Sequence, residues 1–192
     1  IKEDVHLTSI AGGTDMVGCL VLGNLYSNVY KGEIQGQSLA IDVDIFTDAG
    51  KSTEDGEKGE LVVKQPFPSM PVKFWGDKNS EKYHKAYFTR FENIWHHGDF
   101  IERTSNNGFI MRGRSDATLN PGGVRIGTSE IYQQVEDIDF ITEGLVVGQD
   151  YMNDVRIILF VTTKDNKELD DEKIELIQNR IRKNCSPKHV PT

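Results

Sequence analysis

Cysteine is scarce in this chain of 192 residues. Its only two cysteines, Cys19 and Cys185, lie far apart and show no metal-ligand spacing, so both are expected to be reduced thiols, as in most cytosolic proteins. Long apolar runs are lacking as well, because no segment approaches the roughly 20 residues that a membrane-spanning helix needs. These absences predict a cytosolic protein without a membrane span.

Positive charge is also in short supply. The chain has 22 Lys and Arg against 30 Asp and Glu, which gives a formal net charge of -8. This balance argues against a non-specific nucleic-acid binder, which would normally carry a basic face. Small anionic ligands remain compatible with it, since a few local arginines can bind them. The remaining composition, 37% hydrophobic and 27% charged, is typical of a globular protein with one large domain or two small ones.

The first part of the chain is predicted to be rich in β-structure. Apolar and acidic residues alternate over positions 39–46, which indicates a half-buried strand. Ser80 is expected to cap a short helix that ends at Phe88. Further strands are expected over residues 5–10, 17–22 and 60–64, and a glycine-rich turn is expected over residues 11–15.

The character of the sequence changes after Gly113. The expected elements are a helix over residues 129–135, strands over 144–148 and 155–163, and a helix from about 170 to about 185. Asp170 or Asp171 would cap this last helix. Its apolar face would be formed by Ile174, Ile177 and Ile181. The two parts together predict an α+β fold, with a boundary at about residues 114–116.

Residues 95–127 concentrate the side chains that suggest a ligand site. An aspartate can accept hydrogen bonds from both hydroxyls of a ribose, and an arginine presents a rigid fork of donors to phosphate oxygens. Glycines let the backbone approach a ligand closely. The runs concerned are Trp95-His96-His97-Gly98-Asp99, Gly113-Arg114-Ser115-Asp116 and Pro121-Gly122-Gly123-Val124-Arg125-Ile126-Gly127. This combination predicts a nucleotide site with room for a second anionic ligand beside it.

Each motif by itself also has a purely structural interpretation. Residues 11–15 could form an ordinary tight turn, and Arg114 could be a solvated surface residue. Arg182 could be a solvated cation near the end of a helix. The adjacent His96 and His97 would point to opposite sides of a strand, which argues against a metal site formed by this pair.

In this order, the motifs resemble the adenylate-forming superfamily of acyl-CoA synthetases, luciferases and peptide-synthetase adenylation domains. The elements in register are Gly59-Glu60-Leu61-Val62-Val63, Phe74-Trp75-Gly76, Trp-x-x-Gly-Asp at 95–99, Gly113-Arg114-x-Asp116, and Gly123-x-Arg125-Ile126 leading to Glu130-Ile131. The resemblance implies that residues 1–114 are the β-rich end of a large N-terminal AMP-binding domain. Residues 115–192 would be the hinge and a truncated C-terminal α+β domain.

The resemblance also implies a two-step ligation of a carboxylic acid to coenzyme A, driven by ATP. An acyl-adenylate forms first, the smaller domain rotates about Asp116, and the CoA thiol then attacks. Asp15 would bind Mg²⁺, directly or through water, because it replaces the longer glutamate that is usual in the family. The residues implied for ATP or AMP are Gly12, Gly13, Thr14, Asp99, Arg114 and Arg125, and those implied for CoA are Gly122, Gly123 and Arg182.

The acyl substrate implied by the resemblance is longer than acetate. Ala11-Gly12 stand where the acetate-activating relatives carry tryptophans, so the pocket would have room for an acid such as acetoacetate. Acetate, propionate and butyrate remain alternatives, as does a non-catalytic nucleotide-binding module on the same scaffold. The oligomeric state is left open by the sequence.

Two parts of the family's machinery are not among these residues. The glycine-rich phosphate loop would lie before Ile1, and the lysine that assists adenylation would lie after Thr192. The chain also has no initiator methionine, so we expect it to be a piece of a longer protein. We further expect the piece alone to be catalytically inactive.

Overall fold

The computed structural model describes residues 3–164 and 168–192. The chain divides into two compact units, Ile1–Met111 and Arg112–Thr192. The boundary predicted from the sequence lies between residues 114 and 115, and the strand that contains the division spans Phe109–Arg114. The α+β fold class expected from the sequence is confirmed.

The first unit is built on two antiparallel sheets. The smaller sheet has the order β1 (Ala11–Gly13), β2 (Gly18–Leu22), β3 (Gly36–Gln37). The larger sheet has the order β4 (Val43–Phe46), β5 (Lys58–Val63), β6 (Trp95–Arg103), β7 (Phe109–Arg114). A seven-residue helix, α1 (Glu81–Tyr87), lies between β5 and β6 in the chain.

The start of the chain differs from the prediction. Residues 5–10 contain no strand, and the first strand is the glycine-rich segment that was expected to be a turn. A Cβ atom on Gly12 would lie only 2.6 Å from the Cα of Cys19. Glycine therefore allows β1 to pair closely with β2, a backbone approach that any larger residue would prevent.

The prediction that β4 is half-buried was wrong. All four of its residues are buried, including Asp44, which is 5% exposed. The Asp44 carboxylate accepts hydrogen bonds from Ser52 Oγ and the Ile45 N–H, both at 2.8 Å, and lies 3.2 Å from Lys64 Nζ and from Arg103 Nη2. Burial opposes ionisation of Asp44, but Ser52, the Ile45 N–H and Lys64 together outweigh it and hold the pKa of Asp44 below the ordinary value.

The start of α1 also differs from the expected cap. Ser80 precedes the helix in the left-handed region, with φ of 58°, and its side chain makes no capping hydrogen bond. The Asp77 carboxylate instead accepts the Tyr83 N–H at 2.9 Å. The helix contributes Tyr83 and Tyr87 to an aromatic cluster around the buried Trp95.

The second unit contains a long hairpin packed with two helices. Its elements are α2 (Thr128–Val135), β8 (Ile141–Tyr151), β9 (Asp154–Thr163) and α3 (Asp171–Asn184), with 3-10 turns at Ser115–Ala117, Pro121–Gly123 and Pro187–His189. The Asp170 carboxylate caps α3 by accepting the Lys173 N–H at 2.9 Å, which decides between the two predicted caps. Ile177 and Ile181 are buried as expected, whereas Ile174 is 38% exposed. Among the helices within the described ranges, none has the length and apolar character that crossing a membrane requires.

Candidate functional site

The turn after β1 brings together Gly13, Asp15 and His97. Asp15 Oδ1 accepts the Met16 N–H at 3.0 Å. The ordinary turn that was the alternative to a ligand site over residues 11–15 is therefore present. A Cβ atom on Gly13 would collide with Asp15 Oδ1 and would lie 3.1 Å from His97 Cε1. A side chain at position 13 would therefore require the Asp15 carboxylate to move. Thr14 is exposed on the same turn.

The second oxygen of the Asp15 carboxylate contacts a residue that the sequence reasoning did not identify. The Tyr87 hydroxyl donates a hydrogen bond to Asp15 Oδ2. Burial and the neighbouring carboxylate both raise the pKa of Tyr87, so its phenol remains a neutral donor at physiological pH. Nothing in the local sequence around Tyr87 signalled this contact, because 72 positions separate the two residues.

The donor set around Asp15 fits a phosphate-bound cation better than a resident metal. Within residues 3–164 and 168–192, no group of three His, Cys, Asp or Glu side chains could hold a metal ion. Asp15 supplies one carboxylate on an exposed turn. Mg²⁺ commonly binds through one or two carboxylates together with water and substrate phosphates. The turn therefore fits Mg²⁺ only when a phosphate ligand supplies the remaining oxygens.

Asp99 lies in a bulge of β6 that depends on glycine. The register pairs Val62 with His96 and Glu60 with Phe100, so three residues of β6 oppose the single residue between Glu60 and Val62. Gly98, in the middle of the three, has φ of 85°, which favours glycine. Bulges of this kind re-aim side chains and are frequent beside functional sites.

The side chain of Asp99 is nearly buried and faces a histidine. His97 Nε2 lies 3.6 Å from Asp99 Oδ2, and the two side chains are 5% and 10% exposed. On its other side, the His97 ring accepts a hydrogen bond at Nδ1 from Trp95 Nε1, at 3.4 Å. The predicted ribose acceptor therefore lies in a packed environment rather than on a solvated loop.

The neighbouring His96 points to a different partner, as expected for adjacent positions on a strand. His96 Nε2 lies 2.8 Å from Oε2 of Glu60, whose side chain is fully buried. Arg90 Nη2 contacts the other Glu60 oxygen at 3.2 Å. The two histidines serve two separate carboxylates, an arrangement that does not form a metal site.

In the second unit, Arg114 and Asp116 lie on an exposed turn. Arg114 Nε lies 3.5 Å from Asp116 Oδ1, and the side chains are 54% and 77% exposed. Exposed ion pairs of this kind contribute little to stability. Gly113, with φ of 118°, precedes the pair. Arg114 therefore lies at the surface, next to the predicted hinge residue.

The loop that contains Gly122 and Gly123, called the glycine loop below, is held by Asp154, a residue that the sequence did not indicate. Gly122 and Gly123 both have positive φ, 55° and 75°. The Gly122 N–H donates to Asp154 Oδ1 at 2.7 Å, and the Val155 N–H donates to the same oxygen at 2.8 Å. These two backbone donors lower the pKa of Asp154. A Cβ atom on Gly123 would meet no atom within 4 Å, so the loop is open at that point.

The two remaining predicted arginines lie in different surroundings. Arg125 Nε donates to Thr118 Oγ1 at 3.3 Å, next to the Leu119–Ile126 bridge that closes the glycine loop. Arg182 is exposed on α3 and donates to Asn179 Oδ1 at 2.6 Å, a contact within its own helix. Arg125 is therefore part of the loop region, whereas the contact of Arg182 with Asn179 lies within α3.

Comparisons with known proteins point to one group. No protein-family profile matches the chain. The chain is 56% identical over 191 residues to the acetoacetyl-coenzyme A synthetase of Rhizobium meliloti (strain 1021), and 44% identical over 195 residues to the acetoacetyl-CoA synthetase of Gallus gallus. These alignments include 100% of this chain and 29% of each relative.

Solved structures show the same fold. The acetoacetyl-CoA synthetase from Streptomyces lividans matches with a TM-score of 0.87 and 40% identity over 96% of this chain and 27% of that one. A benzoate CoA ligase from Burkholderia xenovorans LB400 matches with a TM-score of 0.77 and 23% identity over 96% of this chain and 35% of that one. The chain is thus similar along its whole length to a segment, about 29% of the length, of acetoacetyl-CoA synthetases.

Proposed function

We propose that this chain is part of an acetoacetate–CoA ligase. The observation that carries the proposal is the 56% identity, along the whole chain, to an acetoacetyl-coenzyme A synthetase. The complete enzyme would join acetoacetate to CoA through an acyl-adenylate, with release of AMP and pyrophosphate. The low cysteine content supports a cytosolic location for it.

The first unit would supply ligands for the adenylation step. Asp99 would accept hydrogen bonds from the ribose hydroxyls, and its fixed position on β6 reduces the entropy lost on binding. Gly12, Gly13 and Thr14 would line the phosphate and acyl side. Asp15 would hold Mg²⁺, which neutralises phosphate charge when bound. The glycine at position 13 supports this role for Asp15, because a Cβ atom there would displace the Asp15 carboxylate.

The second unit would serve the nucleotide and the thioester step. Arg114 would contact the nucleotide, and Arg125 would contact phosphate. Asp116 would be the hinge of the domain rotation, which agrees with its place in a short exposed turn, since hinges absorb backbone rotation at such positions. The CoA contacts would come from Gly122, Gly123 and Arg182. The exposed position of Gly122 and Gly123 is compatible with such contacts.

The acyl preference follows from the residues at the start of β1. Ala11 would carry the preference, since its small side chain would leave space for an acid longer than acetate, whereas the backbone of β2 occupies the space beside Gly12. Differences of one or two carbon units in such a pocket typically change kcat/KM by about 10–200-fold per methylene. We therefore expect a clear preference for acetoacetate over acetate.

The proposal is tested with a ligase that contains this segment. ATP–pyrophosphate exchange and CoA-thioester formation are measured with acetate, propionate, butyrate and acetoacetate. We expect acetoacetate to give the highest kcat/KM, and an Asp99→Asn variant to lose ATP affinity. A preference for acetate would contradict the acyl assignment, and nucleotide binding without ligation of any acid would favour a non-catalytic module.

A further inference from the structure

The neighbours of His97 indicate which of its two ring nitrogens carries the proton. The indole of Trp95 is a donor only, so the Nδ1 atom that it contacts must be the acceptor. The proton of the neutral imidazole is then on Nε2, the atom that faces Asp99. If Nδ1 carried the proton, its N–H and the Trp95 Nε1–H would be two donors facing each other in a packed environment. The neighbours thus favour one tautomer.

The contact between His97 and Asp99 is suited to orienting the Asp99 carboxylate rather than to forming a close hydrogen bond with it. At 3.6 Å, the Nε2–Oδ2 separation exceeds that of a normal hydrogen bond. An N–H dipole at this distance still favours one rotation of the carboxylate. It does so without a close hydrogen bond to an oxygen that a ribose hydroxyl would use. The ring thus biases the direction of Asp99.

Packing fixes the His97 ring itself. Trp95 is 2% exposed and stacks on Tyr87, with ring centroids 3.7 Å apart and planes 12° apart. Gly13 lies close to the ring as well, since a Cβ atom built on it would be 3.1 Å from His97 Cε1. Since Tyr87 also donates to Asp15, a continuous series of side chains joins the proposed cation ligand to the proposed ribose ligand. The residues in order are Asp15, Tyr87, Trp95, His97 and Asp99.

We propose that His97 is a positioning residue that aims Asp99 at the ribose, and that Trp95 and Tyr87 hold it in register with the Asp15 turn. This rests on the proposed nucleotide site. In this proposal His97 acts through the direction of its Nε2–H. A residue that only filled space would not have this effect. Gln at this position would keep polarity but lose the fixed ring.

The test compares His97→Gln with His96→Gln in the 192-residue chain. The second variant makes the same chemical change at the adjacent position, where the side chain faces Glu60. Binding of AMP and of 2′,3′-dideoxy-AMP is measured by calorimetry, with circular dichroism to verify folding. Wild type should prefer AMP, and His97→Gln should lose roughly ten-fold in AMP affinity, the equivalent of one charge-assisted hydrogen bond, with little change for the dideoxy analogue. His96→Gln should retain the preference.

An equal loss for both nucleotides in His97→Gln, or no loss at all, would overturn the positioning role. A second measurement does not depend on nucleotide binding: ¹⁵N NMR should show His97 as the Nε2–H tautomer. Asp99→Asn should shift the Nε2 signal of His97 but not that of His96. If the wild-type chain bound neither nucleotide, nucleotide binding would require residues outside it, the proposed function would still be tested with the longer ligase, and the NMR result would decide the role of His97. An Nδ1–H tautomer, or an Nε2 signal that does not respond to Asp99→Asn, would disprove the inference.

Discussion

At the scale of single residues, Asp44 shows how a buried charge is kept in a small sheet. The carboxylate lies on a fully buried strand and receives donors from Ser52, Ile45, Lys64 and Arg103. Buried charges are tolerated only when they are paired in this way. Alternation along residues 39–46 gave no sign of this burial, because Lys64 and Arg103 are distant in sequence.

The lowered pKa of Asp44 predicts acid sensitivity. A carboxylate with a depressed folded-state pKa stabilises the fold above its ordinary value of 3.8, and this contribution is lost as pH falls through the lower folded-state value. Asp44→Asn should reduce the free energy of unfolding at pH 7 by roughly 2 kcal/mol. It should also flatten the pH dependence below about pH 4. Urea unfolding followed by circular dichroism at pH 7 and at pH 3 measures both effects.

The control for this prediction is Asp48→Asn. Asp48 makes an exposed ion pair with Arg90, its side chain being 73% exposed, so its loss should cost little at any pH. Equal acid sensitivity in wild type and Asp44→Asn would show that the buried carboxylate is not the group that titrates.

At the scale of elements, the bulge of β6 places His97 and Asp99 and requires Gly98. Alanine at a φ of 85° is strained by about 1–2 kcal/mol. Gly98→Ala should therefore lower stability and weaken AMP binding, because the bulge must change to relieve the strain. Gly56 has nearly the same φ, 84°, in open surroundings. Gly56→Ala is a matched control for strain alone.

Thermal melts and AMP titrations separate the two effects of Gly98→Ala. Both alanine variants should show comparable losses of stability, whereas only Gly98→Ala should bind AMP more weakly. Unchanged AMP affinity in Gly98→Ala would mean that the bulge does not set the direction of Asp99.

The elements also show what the sequence could predict. Helix α3 was expected with a cap at Asp170 or Asp171 and with Ile174, Ile177 and Ile181 on its apolar face, and all but Ile174 agree, because periodicity and capping act within a few residues. Strand β1 was mistaken for a turn, since its glycines are explained only by the close approach of β2. Local signals were sufficient for helices, but contacts between distant segments decided the rest.

In the candidate site, too, local features were predictable from the sequence and contacts between distant segments were not. The motif from Trp95 to Asp99 was visible in the sequence, and so was the divergence of the two histidines. The contacts of Tyr87 with Asp15 and of Asp154 with Gly122 join positions 72 and 32 residues apart. No spacing rule reaches that far, so these two residues could be found only from the structure.

At the scale of the whole molecule, the chain spans about 29% of the length of its curated relatives. More than two thirds of the length of each relative therefore lies outside its alignment with this chain. We therefore predict that the chain alone does not catalyse acetoacetate-dependent ATP–pyrophosphate exchange, even where it binds AMP. A longer ligase that contains the segment, assayed in parallel, is the positive control. Robust exchange by the purified chain would show that these residues hold a catalytic group not recognised here.

The stack of Tyr87 on Trp95 has a practical consequence for optical measurements. The chain has two tryptophans, and Trp75 is fully exposed whereas Trp95 is 2% exposed. A water-soluble collisional quencher such as iodide should remove the emission of Trp75 and spare that of Trp95. The remaining fluorescence then comes from a ring that touches His97, so the protein carries its own label-free reporter beside the residues proposed to hold the nucleotide.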